Sequence, residues 1–238
     1  MKLRKIYLGK EVSNSINLIK KGICELNKSD VDIYENYIPL ILLSSGFERL
    51  MKCIVCLMYF RANKKFPSIK FLKDKFGHDL EKLKAYIVEN CEKMNYGTCP
   101  ATKNDIEFFT KDEYLDRIVR LLSDFGMGAR YYNLDTVANG KSSYREPGEV
   151  IGSLEREIIN KHPELEKIQK DISKTREFNK KLNQELITIL EKFARALSRL
   201  FTLGDLGDIA PTMIGHVEDF LFLRDADLGK ANYCNQTN

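Results

Sequence analysis

The sequence predicts an all-α protein, an up-down helical bundle carrying a long C-terminal helix or helical hairpin. Three observations predict it. Apolar residues recur at spacings of three and four through most of the chain, and the period-two alternation of strands is missing. Only six prolines interrupt 238 residues, which leaves room for long helices. Between Glu164 and Phe201 the positions Leu165, Ile168, Ile172, Thr175, Asn179, Leu182, Leu186, Ile189, Phe193, Ala196 and Leu200 hold one heptad register with almost no breaker.

Taken in order, residues 1–28 read as an amphipathic helix with Val12, Ile16, Ile19, Ile23 and Leu26 on its apolar face. A polar break follows, in which Ser29 or Asp30 suits the cap of the next helix. The stretch from Asp30 to about Arg61 is the longest apolar run. Ile33, Tyr37, Leu40, Ile41, Phe47, Leu50, Met51, Ile54, Val55 and Met58 cover more than half its circumference, so other helices are expected to bury it. Ser44-Ser45-Gly46 is its expected place of bending or close helix approach. Gly77-His78-Asp79-Leu80 ends one short helix and opens another, with Leu80, Leu83, Ile87, Cys91 and Met94 on one face. Residues 95–105 read as a loop. Thr110-Lys111-Asp112-Glu113 reads as a capping box ahead of Tyr114, Ile118, Leu121, Leu122 and Phe125, and Gly126 and Gly128 as the stop. Residues 129–150 have no helical period, and a helix resumes near Glu149, with a break at His162-Pro163. The tail after Gly204 is acidic, with one short helix from about Pro211 to Phe222 and a frayed end. These segments read as a bundle, 1–148, and a helical extension, 149–238, with one continuous domain as the alternative.

Composition is that of a soluble globular chain, 43% hydrophobic and 30% charged, with a net charge of +4. The start MKLRKIYLGKEVSN lacks the apolar segment of a signal peptide, so a cytoplasmic location is expected. Glu48, Arg49 and Lys52 lie inside the apolar run and argue against a membrane span. Cys53-x-x-Cys56 is the only close pair among six cysteines and has no second pair at zinc-site spacing. Its thiols read as small hydrophobes, and no metal is expected. No glycine fingerprint for a dinucleotide or phosphate loop occurs, so no cofactor is expected.

Charge is unevenly placed. From Arg61 to Lys75 six basic residues (Arg61, Lys64, Lys65, Lys70, Lys73, Lys75) stand against Asp74 alone, so the rest of the chain is near neutral. Phe66, Phe71 and Phe76 are interleaved with them. Lysines with aromatics suit phosphate contact and base stacking, and equally suit a solvated face over inward-pointing rings. The 129–150 segment adds Arg130, Tyr131, Asn133 and Asp135. Three histidines, His78, His162 and His216, leave few groups for acid–base chemistry.

Phe47-Glu48-Arg49-Leu50-Met51-Lys52, then Gly77-His78-Asp79-Leu80, then Ala129-Arg130-Tyr131, resembles the HEPN superfamily over about residues 10–135. The resemblance implies a four- or five-helix bundle, often dimeric, in proteins linked to RNA, toxin–antitoxin systems and antiviral defence. Nuclease members carry an Arg, a polar residue and then a His four to six residues on. Here Arg130 is followed by Tyr131, and Asp135 stands where a His would fall. Arg156-Glu157 with His162 has the spacing but lies outside the resembling stretch.

The expected function is therefore a non-catalytic HEPN-like protein that binds RNA or a protein partner, through Arg61–Lys75, Arg49, Tyr131 and Asn133. Two alternatives stand beside it. One is a metal-independent endoribonuclease using Arg156 and His162, or Arg130 and His78. The other is a structural homodimer joined along the 165–200 seam, with Asn179 fixing register.

Overall fold

The computed structural model describes residues 2–28, 37–94 and 96–234. Two 27-residue helices, α1 (Lys2–Lys28) and α2 (Tyr37–Asn63), form its spine. Their apolar faces meet as the periodicity predicts, burying Val12, Ile16, Ile19 and Ile23 against Leu43, Phe47, Leu50 and Ile54. Ile33 and the Ser29 or Asp30 cap lie outside the described residues. The helices run antiparallel with glycine on both sides of the contact. A Cβ on Gly22 would fall 2.7 Å from Leu43 Cγ, and one on Gly46 would fall 2.7 Å from Ile19 Cγ1 and 3.1 Å from the Ser15 carbonyl. Ser44-Ser45-Gly46 is thus a close approach within one continuous helix.

α3 (Ile69–Phe76) is short and capped by Ser68, whose hydroxyl accepts from the Phe71 N–H. Gly77 ends it at φ 52°, and Asp79 caps α4 (Leu80–Lys93) by accepting from the Lys82 N–H. Residues 95–105 are not a loop throughout. Pro100, placed at N1, starts α5 (Pro100–Lys111). This helix runs straight to Lys111, so the Thr110 hydroxyl is spent inside it on the Ile106 carbonyl. The cap of α6 (Glu113–Met127) is Asp112, which accepts from the Leu115 N–H. Gly126 lies within α6, where a Cβ would fall 2.9 Å from Ser44 Oγ; Gly128 is the cap.

The 129–150 stretch is also more helical than its period suggests. A 3-10 turn, Ala129–Tyr131, leads into α7 (Tyr132–Asn139), which buries no residue and therefore shows no apolar stripe. α8 (Pro147–Lys161) and α9 (Pro163–Gln169) meet at His162, as the proline predicts. The heptad run is not one helix. It breaks at Lys170–Lys174, where the Asp171 carboxylate bonds Ser173 and leaves Ile172 89% exposed, and resumes as α10 (Thr175–Leu203).

α10 lies in the core. Its seam residues Leu182, Leu186, Phe193, Ala196 and Leu200 are buried inside the chain against α1, α2, α5, α6 and α8. One hydrophobic cluster holds residues from both sides of position 148. After α10 a 3-10 turn (Ala210–His216) and α11 (Glu218–Leu221) bury Met213, Val217 and Phe220.

The tail is docked rather than frayed as far as Cys234, and residues 235–238 lie outside the described residues. Glu191 of α10 is fully buried and accepts from the Gly229 N–H (2.5 Å) and the Tyr233 hydroxyl (2.9 Å). Cys234 is disulfide-bonded to Cys24 of α1. Among the described residues there is no strand, and no helix is long and apolar enough to cross a membrane.

Candidate functional sites around Glu48, Arg130 and the basic helix

The polar cluster of α2 is divided between two neighbours. Arg49 reaches α1 and pairs bidentately with Glu11 at 2.6 and 2.9 Å, which raises its already high pKa. Lys52 donates to Glu48 and to the Gly77 carbonyl, both at 2.6 Å. His78 Nδ1 lies 3.1 and 3.0 Å from the two Glu48 oxygens. Below it, the Leu80 N–H donates to the buried Ser123 hydroxyl. Every charge here has a partner, and the set holds the start of α4 against α2. The His78 side chain is 58% exposed and oriented by a carboxylate.

In the basic stretch the aromatic rings point inward. Phe66 packs on Phe60, Phe71 on Tyr59 and Phe76 on Tyr86, at centroid distances of 4.7, 5.0 and 5.3 Å. They complete the core and are not offered to bases. Arg61 is held by Asp205 at 2.5 Å, and Lys75 lies 4.2 Å from the Tyr86 ring centroid. Lys64, Lys65, Lys70 and Lys73 are exposed and make no ion pair among the described residues.

Arg130 sits in the 3-10 turn after α6. Its carbonyl accepts from the Tyr37 hydroxyl at 2.6 Å, its guanidinium lies 5.1 Å from the Tyr131 ring, and its Nε is buried with no hydrogen-bond partner. The turn borders a cavity of about 90 Å³ lined by Tyr37, Tyr132, Asn133, Glu146 and Gly148. Tyr131 itself is 49% exposed.

The catalytic candidates are not assembled. Six positions along α8 carry a side chain roughly 120° around the axis. Arg156 lines a groove on one side, whereas His162 lies 3.1 Å from Glu164 and 3.9 Å from Glu185. His78 is bound to Glu48, and the Arg130 guanidinium lies over the Tyr131 ring. Of the cysteines, burial pushes Cys53 well up, Cys56 to about 11 and Cys91 to about 12, consistent with hydrophobic packing. No group of three metal-ligating side chains occurs among the described residues.

Two polar arrangements went unread in the sequence. Asp105 is buried between Arg199 (2.7 Å) and the Tyr96 hydroxyl (2.9 Å). Arg117 and Arg145 share a groove with Arg156. Spacing alone cannot join residues from α6, the loop before α8 and α8 itself. Comparison with protein-family models, curated proteins and solved structures returns no match.

Proposed function

We propose that this chain is a non-catalytic, HEPN-like helical protein that binds RNA through the surface of α3 and the turn before it. One observation carries the reading: Lys64, Lys65, Lys70 and Lys73 are exposed and unneutralised, while the phenylalanines between them are spent on the core. Such a surface supplies phosphate contacts without base readout, so binding is sequence-tolerant and salt-sensitive. The separation of Arg156 from His162 speaks against the nuclease reading, and the burial of the α10 seam against dimerisation along it. A defence or toxin–antitoxin setting rests on the resemblance in residues 10–135 alone. A cytoplasmic location rests on the N-terminal sequence and is opposed by the Cys24–Cys234 bridge, since reducing compartments keep such pairs as thiols.

The test is fluorescence anisotropy on single-stranded RNA at several salt concentrations. Replacing all four lysines by Glu should weaken binding at least tenfold, and the salt slope should flatten by about 0.7 for each lost contact. Equal affinity and slope in wild type and variant would defeat the proposal.

A further inference from the structure

We propose that the end of the bundle built on the first turns of α1 is a docking surface for an anionic phospholipid bilayer. α1 carries two apolar faces. Val12, Ile16 and Ile19 are buried against α2. Leu3, Ile6 and Tyr7, also at helical spacing, are between 47% and 64% exposed. Around the helix axis the two faces are about 170° apart. A helix packed on one side needs a single apolar stripe, so the second calls for a surface of its own.

Charge at this end has one sign. Lys2, Arg4, Lys5 and Lys10 share the first turns of α1, with no carboxylate before Glu11. None of the four makes an ion pair among the described residues, and Lys10 lies 5.5 Å from the Tyr7 ring centroid. Cations at the positive end of a helix dipole weaken the helix, and an anionic surface offsets that cost. Glu11 pairs with Arg49 of the antiparallel α2, so Lys2 and Asn63 finish at the same end of the bundle. Lys64 and Lys65 follow there, both exposed. The Arg61–Asp205 pair brings in the last turn of α10, where Leu203 is half exposed. Asp205 is thus spent on Arg61, and Asp208 stands beside it against six cations.

The mixture of side chains selects the partner. Leu3 and Ile6 offer neither a charge to a phosphate nor a ring to a base, which sets their face apart from an RNA-binding one. Lysine is depleted where proteins meet proteins, whereas here Lys2 and Arg4 border the apolar residues on either side. Aliphatic groups and a tyrosine edged by cations suit the headgroup layer. The apolar groups enter the acyl boundary while the cations meet lipid phosphates and carboxylates. The contact is peripheral, since no described helix is long and apolar enough to cross a bilayer. Lys64 and Lys65 are shared with the proposed RNA surface, but Leu3, Ile6 and Tyr7 belong to this face alone.

Co-sedimentation of the full chain with vesicles tests this, using equal parts of phosphatidylserine and phosphatidylcholine beside phosphatidylcholine alone. Wild type should bind the anionic vesicles at submillimolar lipid and the neutral ones at least tenfold more weakly. Leu3→Gln/Ile6→Gln, both at exposed positions, should lower binding to anionic vesicles tenfold or more. Neither its Tm nor its RNA anisotropy should differ from wild type, which separates this surface from the RNA-binding one. The proposal falls if wild type leaves anionic vesicles unbound at millimolar lipid, or binds neutral ones equally well. It also falls if the double variant binds like wild type, because adhesion would then be lysine charge alone. A smaller oligomer for the variant in analytical ultracentrifugation, with no vesicle binding by wild type, would give the face to a second copy. Weakened RNA binding by the variant would give it to nucleic acid, and either result overturns the proposal.

Discussion

Phe47 of α2 stacks on Phe193 of α10, with ring centroids 4.8 Å apart and 25° between the planes. Both rings are fully buried, and Phe109 of α5 meets Phe193 edge-on. The extension after residue 148 is therefore fastened into the bundle at its centre. Phe193→Ala should cost about 3–5 kcal/mol. Wild type should unfold in one denaturant transition seen alike by fluorescence and circular dichroism. Two separated transitions would show that the extension folds independently.

Gly46 marks where α2 comes closest to α1. A methyl group there meets Ile19 and the Ser15 carbonyl, and the backbone cannot yield as a side-chain tip would. Gly46→Ala should destabilise by about 1–3 kcal/mol despite the better helix propensity of alanine. Gly140→Ala removes a glycine at φ 72° whose Cβ would meet nothing, and gives a strain-only comparison. Chemical denaturation of both variants checks the pair, and a neutral or stabilised Gly46→Ala would contradict the packing.

Glu155 of α8 is 9% exposed, and burial raises its pKa from 4.5 to about 7, with Arg156 opposing the shift. The folded state holds this proton more tightly than the unfolded state. Its stabilisation is complete below about pH 4.5, declines as pH rises through 7, and is lost above that. The decline is on the order of 3 kcal/mol. Glu155→Gln should flatten stability between pH 5 and pH 8 relative to wild type. Parallel curves for the two proteins would show that Glu155 does not titrate in this range.

Thiol chemistry separates the six cysteines. Cys24 and Cys234 are bridged, and burial raises the pKa values of Cys53, Cys56 and Cys91. Only Cys99 is shifted downward, by its bonds to the Thr102 hydroxyl and N–H at the start of α5. Iodoacetamide on the native, non-reduced protein should label Cys99 first. Mass spectrometry after non-reducing denaturation should find four labelled cysteines. Six would mean that the bridge does not form.

The helices whose apolar faces are covered locally were legible: α1, α2, α4 and α6 follow their stripes, and Gly77 and Asp79 punctuate as their chemistry requires. α7 was not, because a helix that buries nothing has no stripe to read. α5 was hidden by the turn-forming residues before Pro100, and the break before α10 by the lack of Gly or Pro at 170–174. Heptads revealed an apolar face on α10 but not that α1 and α2 cover it. The site residues divide in the same way. Glu48, Lys52 and His78 are joined within neighbouring segments, whereas Arg117, Arg145 and Arg156 meet only once α6 and α8 are packed.

The Cys24–Cys234 bond spans 210 positions and turns nearly the whole polypeptide into a covalent ring. A single cut anywhere inside that ring opens it without releasing a fragment. Trypsin acting at the exposed Lys141, between α7 and α8, would leave one band on a non-reducing gel and two on a reducing one. A nicked molecule of this kind keeps its two parts in register and can refold as one body.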